Sequence, residues 1–476
     1  MGRGRAPERP GEQRAQSGPG EHRARGRLRR PLAQGPLDER RHMARRAVRK
    51  LTLGTAFAGV LGLAACSSGT GTPGSSAPAA AGAVTSATIK VLVNVTPTLT
   101  QSFWNNQARL FEKQYPKVTV KLENQGGEDL DTYFSSLVSA GNAPDVAEGL
   151  GGIGTLAHDG VLAAYPKASW ITSEADWQEQ TVNGTIYAPS AALQAQSIVF
   201  YNKNDFTKAG ISSAPATMAA LKTDVARLKA KGIAPFQAGS QFVTGAQLSS
   251  LVAPTLFQQN PSWFAQRNSN KVTFGNSYWK TMLATYQGWV RNKDFAPGAL
   301  STPYAQSETD FLKGQAAMYV MGSYVTPTID STPHSFGVGV FAVPTQSGKP
   351  ALAVAPTLNF EIMKSSPHYA DDLAFAKFME TNATAVQNFI KADGDYSAVT
   401  PPITYPQSAL STQIQKIVDS GVTLTPCCTG SGSNSASQEF GNELTQQVQA
   451  LFTGSENPAQ IASTLDTWWS RQGGAS

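Results

Sequence analysis

Residues 149–154 carry the spacing G-x-G-x-x-G, which in some folds holds the phosphates of a dinucleotide. Glu174 and Asp176 follow about 20 residues later, where such a fold places an acid. The first strand predicted in the folded part is residues 89–95, however, and not the strand before Gly149. We therefore expect a turn at the carboxyl end of a strand, where glycines let the backbone approach a bound solute closely.

Catalytic chemistry has little support in this sequence. There is no G-x-S-x-G, and His158, His334 and His368 do not have the spacing of metal ligands. A glycosidase needs two carboxylates about 5–10 Å apart across a cleft, and the sequence alone pairs none of its Asp and Glu residues. We expect no enzyme activity, no metal and no cofactor.

Cys66 is the cysteine with the clearest chemical context. A basic segment, residues 44–50, precedes an apolar run of about 15 residues that ends at Ala65, which is typical of a secretory signal. The run is shorter than the roughly 17–25 residues of a membrane-spanning helix. Leu63-Ala64-Ala65-Cys66 resembles a bacterial lipobox, in which the cysteine receives a diacylglycerol. The alternative is an ordinary signal peptide cut after Ala65, which leaves a free thiol.

The other two cysteines, Cys427 and Cys428, are adjacent in a stretch rich in Gly and Ser. Outside the cell such a pair could close a strained vicinal disulfide. The alternative is two free or mixed thiols.

The net charge of +6 belongs to the leader rather than to the folded part. Residues 1–50 hold 15 of the 39 Lys and Arg but only 5 of the 33 Asp and Glu, so the rest carries about −4. A nucleic-acid partner is therefore not expected. Met43 is the expected start, which makes residues 1–42 a disordered or mis-annotated extension, or alternatively an Arg-rich targeting arm. Residues 43–65 are the signal, and residues 66–86 form a Ser/Gly/Pro tether.

The elements that position candidate side chains alternate between strand and helix. Strands are predicted at residues 89–95, 117–122 and 144–147, with amphipathic helices between them. This order indicates an α/β fold with a parallel sheet. A strand at residues 197–201 opens a second unit, in which residues 236–274 look loop-rich. About 390 folded residues exceed what one hydrophobic core usually supports, so two lobes are expected.

Several short motifs occur in the order found in one protein family. They are Phe111-Glu112-Lys113-Gln114-Tyr115-Pro116, Ala143-Pro144-Asp145-Val146, Asn183-Gly184 with Tyr187-Ala188-Pro189, Phe200-Tyr201-Asn202-Lys203, Gly314-Gln315-Ala316-Ala317-Met318 with Gly322-Ser323-Tyr324, and Ala374-Phe375-Ala376-Lys377-Phe378-Met379. Together, over roughly residues 88–395, the sequence resembles the extracellular solute-binding proteins of ATP-binding-cassette (ABC) importers, in particular the carbohydrate-binding group that includes maltose-binding protein.

The resemblance implies a two-lobed periplasmic-binding-protein-like fold of type II, with a hinge and a ligand cleft between the lobes. Lobe one would comprise residues 87–197 with 341–395, and lobe two residues 198–340 with 396–470. Ligand contacts made only in the closed state would drive hinge closure.

Sugar binding uses aromatic faces and planar polar side chains. The resemblance and the strand ends together suggest these ligand-binding residues: Trp104, Glu148, Gly149, Gln194, Gln196, Phe242, Trp263, Tyr324, Asn359, Phe360 and Tyr396. Two assignments stay open, since Trp104 could instead belong to the core and Glu148 could be a solvated strand end. Tyr324 stands where the family commonly has Trp.

The resemblance thus implies a monomeric, lipid-anchored protein on the outer face of the cytoplasmic membrane. It would capture a sugar or oligosaccharide and deliver it to the membrane subunits of an ABC permease. The alternatives are a ligand-sensing lipoprotein coupled to a signalling partner, or a binding protein for a solute other than a sugar.

Overall fold

The computed structural model describes residues 84–171, 180–420, 422–426, 436 and 438–472. All of them fall within one compact unit, residues 75–476. The signal, most of the tether and all three cysteines lie outside the described residues. Within the described part, no helix is long and apolar enough to cross a membrane.

The first elements along the chain are β1 (Ala87–Val93), α1 (Gln101–Gln114), β2 (Val118–Asn124), α2 (Leu130–Ser139), β3 (Val146–Glu148), α3 (Ile153–His158), β4 (Thr181–Val182), β5 (Thr185–Ile186) and β6 (Ser190–Ala195). The middle part of the chain forms β7 (Ile198–Asn202), α4 (Lys203–Lys208), α5 (Met218–Ala230), β8 (Phe236–Gln237), α6 (Val243–Gln259), α7 (Trp263–Asn268), α8 (Tyr278–Arg291), α9 (Tyr304–Leu312), β9 (Met318–Met321), α10 (Thr326–Ser331) and β10 (Val338–Ala342). The remainder comprises β11 (Ala351–Ile362), α11 (Tyr369–Thr381), α12 (Ala383–Ala392), β12 (Tyr396–Ser397), α13 (Ala409–Asp419), β13 (Thr423–Pro426), α14 (Gln438–Thr453) and α15 (Pro458–Gln472). Two 3₁₀ turns, at Phe274–Asn276 and Ser323–Val325, complete the set.

Local sequence explains why the first helix begins and ends where it does. The Thr100 side chain accepts a hydrogen bond from the Phe103 amide, which caps α1. Trp104, Ala108 and Phe111 then fall on one buried face at helical spacing. Pro116 follows at once and prevents continuation. The predicted helix in this region is confirmed.

Two sheets define the two lobes of this α/β protein. The large sheet has seven strands in the order β12-β6-β11-β3-β1-β2, with β13 also paired to β11. Strands β1, β2 and β3 are parallel, as predicted, but β11 is antiparallel to both β3 and β6, so the sheet is mixed. The small sheet has the order β10-β7-β9-β8. We call the two halves the large-sheet lobe and the small-sheet lobe.

The chain crosses between the sheets at Gln196, and the crossing segments bond to one another. The Gln196 amide donates to the Ala353 carbonyl at 2.8 Å, and the Ala353 amide donates to Ser197 Oγ at 2.7 Å. The Val343 amide donates to the Ser197 carbonyl at 2.8 Å. β12 pairs with β6 in the large sheet, whereas the sequence analysis assigned residues from 396 onward to lobe two.

The expectation that residues 236–274 are loop-rich was wrong. Most of that stretch is helical: α6 has 17 residues and is followed by α7. Nearly all of α6 is buried, so it shows no amphipathic stripe from which the helix could be recognised. Pro254 inside it also argues against a helix when only the sequence is read.

The last helices complete the small-sheet lobe. α14 packs against α6 and α8, and α15 packs against α8 and α14. Phe440, Leu444 and Val448 of α14 belong to the same buried cluster as Trp263 and Trp279. Trp469 of α15 lies there as well.

Candidate functional site

A cleft of about 1110 Å³ opens where the ends of the large-sheet strands face the small-sheet lobe. On the large-sheet side it is lined by the segments that follow the parallel strands, within residues 94–99, 125–131 and 148–152. The carboxyl ends of parallel strands meet at one edge of a sheet, where open α/β folds bind ligands. The expected turn at Gly149 is confirmed, because β3 ends at Glu148 and Gly149 to Gly152 line the cleft.

The small-sheet wall is built from four separate parts of the chain. Gln241 and Phe242 precede α6, Tyr304 begins α9 and Tyr324 lies in a 3₁₀ turn. α14 adds four polar side chains: Asn442, Thr445, Gln446 and Gln449. The aromatic rings form a row, with ring centroids 4.9 Å apart for Phe242 and Tyr304 and 6.2 Å apart for Tyr304 and Tyr324. Phe242 is 43% exposed, so a large apolar face is available to a solute.

Glu148 is the most deeply placed acid of the large-sheet wall, with 4% of its surface exposed. The Asn94 amide donates to its Oε2 at 3.2 Å. Burial raises the pKa of Glu148 to about 8; the Asn94 hydrogen bond opposes this rise, and the charge of Asp393 adds to it. The carboxyl group is therefore held where ionisation is costly.

A hydrogen-bonded network beside Glu148 links the cleft to the crossing segments. Thr98 Oγ1 donates to Asp393 Oδ1 at 2.8 Å. The side-chain nitrogen Nε2 of Gln194 donates to Asp393 Oδ2 at 3.0 Å and to Asp395 Oδ1 at 3.2 Å. Gln196 Nε2 donates to Gln194 Oε1 at 2.5 Å, which extends the network to the crossing. Burial raises the pKa of both Asp393 and Asp395.

Asn359 and Glu361, on β11, support the turn at Gly149. The Gly149 amide donates to the Asn359 carbonyl at 3.2 Å, and the Leu150 amide donates to Glu361 Oε2 at 3.1 Å. Asn359 Nδ2 donates to Glu361 Oε1 at 2.5 Å. Glu361 is fully buried, and burial raises its pKa well above the usual carboxyl range. These bonds fix the glycine turn against the cleft.

The structure brings most of the sequence-predicted binding residues together. Those that line the cleft are Glu148, Gly149, Gln194, Gln196, Phe242, Tyr324 and Asn359. The open question about Glu148 is answered in part, because the residue is buried rather than a solvated strand end.

Trp104 and Phe360 do not line the cleft, which corrects the expectation that they contact a solute. Trp104 is 1% exposed, and its Nε1 donates to the Asn94 carbonyl at 2.9 Å. Its ring packs edge-on against Phe103 and Phe360. Phe360 is a buried residue of β11 rather than a loop residue. Both belong to the core beneath the large-sheet wall.

Trp263 and Tyr396 are the other two corrections. Trp263 starts α7, is 2% exposed and packs against Phe264 and Phe274 in the core of the small-sheet lobe. Tyr396 is buried on β12, and its hydroxyl donates to the Ser411 carbonyl at 3.3 Å. Apolar contacts fully cover both rings, so neither offers a face to a ligand.

Sequence reasoning missed several residues that line the cleft. Gln125 follows the second predicted strand, so the rule that strand ends carry ligands could have found it, whereas Asp393 follows α12, which was not predicted. The α14 side chains gave no such signal. They reach the cleft because α14 lies against α6, where a Cβ on Gly245 would collide with Thr445. In the described part of the chain, no group of three or more His, Cys, Asp or Glu residues is arranged to hold a metal ion.

Comparison with known proteins extends to most of the chain. A family model described as "Bacterial extracellular solute-binding protein" matches residues 96–386. A chitin oligosaccharide binding protein has a TM-score of 0.68 at 21% identity, over 81% of this chain and 98% of that chain. The GacH receptor of Streptomyces glaucescens GLA.O, studied unliganded and with acarbose, has a TM-score of 0.65 at 19% identity, over 81% of this chain and 98% of that chain. A family 1 extracellular solute-binding protein from Bifidobacterium longum subsp. infantis has a TM-score of 0.61 at 17% identity, over 82% of this chain and 100% of that chain.

Proposed function

The chain belongs to the bacterial extracellular solute-binding protein family, and from that premise we propose that its cleft captures a sugar or oligosaccharide. The family is one of binding proteins, not of enzymes. The proposed act is therefore reversible capture and release, without chemical change of the solute.

The composition of the cleft carries this proposal. Its lining includes ten side-chain amides: Asn94, Gln125, Gln180, Gln194, Gln196, Gln241, Asn359, Asn442, Gln446 and Gln449. A primary amide both donates and accepts, which suits hydroxyl groups that do the same. Phe242 and Tyr324 on the opposite wall can cover the apolar face of a sugar ring. The volume of about 1110 Å³ exceeds the roughly 300–1,000 Å³ of pockets for drug-sized ligands, which favours an oligosaccharide.

The names of two similar structures agree with this choice of solute. One is a chitin oligosaccharide binding protein, and the other was studied with acarbose. Identities of 21% and 19% do not transfer a particular sugar to this chain. They support the class of solute only.

We further propose that closure of the two lobes about the crossing segments traps the solute. Gln196 is central to this idea, because it lines the cleft and its amide bonds to Ala353 of the returning segment. A solute that contacts both walls favours the closed state by the difference between its affinities for the two states.

Lipid anchoring at Cys66 and delivery to an ABC permease complete the proposal. A diacylglycerol brings two acyl chains, which suffice for stable membrane residence. We expect the Cys66→Ala variant to appear in the culture medium when expressed in a lipoprotein-processing host, while the parent stays in the membrane fraction. Retention of the variant in the membrane would contradict the anchor and would leave capture unaffected.

A thermal-shift screen tests the capture itself. Mono- and oligosaccharides, amino sugars, amino acids and polyamines are offered to the full chain, and each hit is titrated by calorimetry. A ligand at 100 times its dissociation constant stabilises the folded state by about 2.7 kcal/mol. Stabilisation by saccharides is expected. Stabilisation only by amino acids or polyamines would overturn the proposal. Adding a chromogenic glycoside should give no turnover.

A further inference from the structure

We propose that the solute carries a positively charged amino group, and that this group docks on Glu148 and Asp393 in the large-sheet wall. The inference rests on the proposed saccharide binding and names the class of saccharide: one bearing a cationic nitrogen. Three features of the cleft lead to it, namely its charge, the state of Glu148 and the chemistry of the facing wall.

The charge of the cleft is one-sided. Among the described residues that line it there are five carboxylates, Glu128, Asp129, Asp131, Glu148 and Asp393, and no Lys, Arg or His. Two of these acids serve the fold: Asp129 caps α2 by accepting from the Thr132 amide, and Asp131 accepts from the Gly151 amide. Glu128 is exposed, which leaves Glu148 and Asp393 as the buried pair. A concave surface of one sign concentrates solutes of the opposite sign.

Glu148 is more than nine-tenths buried yet only partly bonded. Its Oε2 accepts from the Asn94 amide, while Oε1 has no hydrogen-bond partner among the described residues. Since the residue lines the cleft, Oε1 is an acceptor that a solute can reach.

Every other ionisable group that acts on Glu148 is also an acid. Asp393 raises its pKa directly, and Glu148 in turn raises the pKa values of Asp395 and Glu361. The remaining polar neighbours, Thr98 and Gln194, are neutral and already donate to Asp393. A bound ammonium group would therefore be the first positive charge in this cluster. It would lower the raised pKa of Glu148, so that the carboxyl group releases its proton and accepts a charge-assisted hydrogen bond from the ammonium group.

The facing wall suits the rest of such a solute. Phe242, Tyr304 and Tyr324 present aromatic faces, which attract cations as well as apolar ring faces. Gln446 of α14 lines the same wall and suits hydroxyl groups, whereas Gln449 Nε2 already donates to the Gln241 carbonyl at 3.3 Å. A saccharide lying between the walls with its amino group toward Glu148 uses both sides of the cleft at once.

The test compares three trisaccharides that differ only in the substituent at C2 of each ring. They are cellotriose with a hydroxyl, triacetylchitotriose with an acetamide and fully deacetylated chitotriose with an amine. Calorimetry with the full chain is done at a pH of about 6.5, where amines of this kind are protonated. We expect the amine to bind at least about tenfold more tightly than either neutral ligand, and its advantage to shrink with added salt.

Two variants locate the effect. Glu148→Gln should lower the affinity for the amine by about tenfold and change that for cellotriose by less than about twofold, because the amide keeps the shape but not the charge. Asp393→Asn is the second variant, and Asp159→Asn, at an exposed acid outside the cleft lining, is the matched control. Circular dichroism checks that each variant is folded. The comparison of the three ligands on the parent chain stands even if a variant fails to fold.

The inference and the proposed function fail in distinguishable ways. If a neutral trisaccharide binds as tightly as the amine, the inference is overturned and the proposed sugar binding stands. An amine preference that Glu148→Gln and Asp393→Asn both leave unchanged would overturn the assignment of the docking site. If no saccharide of the trio or of the wider screen binds, both the inference and the proposed function are wrong.

Discussion

The two walls of the cleft are made in different ways. The deep part of the large-sheet wall consists of side chains that are buried and hydrogen-bonded within that lobe, as Asp393, Gln194 and Asn359 are. The small-sheet wall consists of helix starts and one helix face, and its aromatic side chain Phe242 is 43% exposed. One wall is fixed before a solute arrives, and the other offers open surface.

This difference separates the two tasks of a binding cleft. Buried, mutually bonded acids and amides set positions and charge, and a change among them disturbs the fold as well as the site. Exposed rings contribute contact area, and a change among them disturbs binding alone. Substitutions on each wall test this difference.

The largest expected effect concerns the core that supports the large-sheet wall. Trp104→Ala should lower the free energy of unfolding by about 3–5 kcal/mol, because it removes a fully buried indole and its bond to the Asn94 carbonyl. Urea unfolding followed by circular dichroism measures this. Phe242→Ala, an aromatic truncation on the open wall, is the matched control and should cost under about 1 kcal/mol. Equal losses would abolish the contrast between the walls.

A smaller effect is expected from the charge of the large-sheet wall. The pKa of Glu148 is raised from 4.5 to about 8 in the folded state. Between these values the folded state holds a proton that the unfolded chain has released, so the stability of the unliganded protein falls as the pH rises. Glu148→Gln removes this titration and should be more stable than the parent at pH 8 by about 1–3 kcal/mol.

Thermal unfolding at pH values from about 5 to 8 provides the measurement for Glu148→Gln. Glu361 and Glu380 are also buried with raised pKa values, so the decline should become shallower rather than vanish. Asp159→Asn, at an exposed acid after α3, is the control and should track the parent. If the pH profile of Glu148→Gln matched that of the parent throughout, the raised pKa of Glu148 would be contradicted.

The smallest effect is expected on the small-sheet wall and appears only with ligand. Phe242→Ala and Tyr324→Ala should each weaken the saccharide found in the screen by about 1 kcal/mol, since stacking area is lost. Leu424→Ala removes a similarly exposed apolar side chain outside the cleft lining and should leave affinity unchanged. Calorimetry on the three variants decides, and unchanged affinity for both aromatic variants would remove that wall from the site.

Much of the fold was predictable because its signals are local. The β1–α1–β2 unit follows from residue periodicity, a threonine cap and a proline stop. β11 was not predicted as one strand. Residues 351–354 pair with β13, residues 354–359 with β6 and residues 360–362 with β3, so pairing rather than local pattern extends it to 12 residues. α6 was missed because it is buried on all sides.

The site residues that could be predicted from the sequence are mainly those at the ends of strands. Glu148 and Gly149 follow that rule and line the cleft, and Gln194, chosen from the family resemblance, lines it as well. Trp104 and Trp263 were chosen because aromatic residues suit sugars, but residue type does not reveal whether a ring faces a cleft or a core. Both are buried. Trp104 shares helical spacing with Ala108 and Phe111, which favoured the core, whereas Trp263 begins a helix of six residues and had no such signal. The α14 residues depend on a contact between helices nearly 200 residues apart in the chain, at Gly245 and Thr445.

That late contribution from α14 has a consequence for biosynthesis. The cleft draws its lining from Asn94 through Gln449, so more than 350 residues separate its first and last parts. A chain emerging from the ribosome or from a translocation pore amino terminus first has no complete cleft until α14 has followed. A solute therefore meets no complete cleft on a nascent chain that still lacks α14.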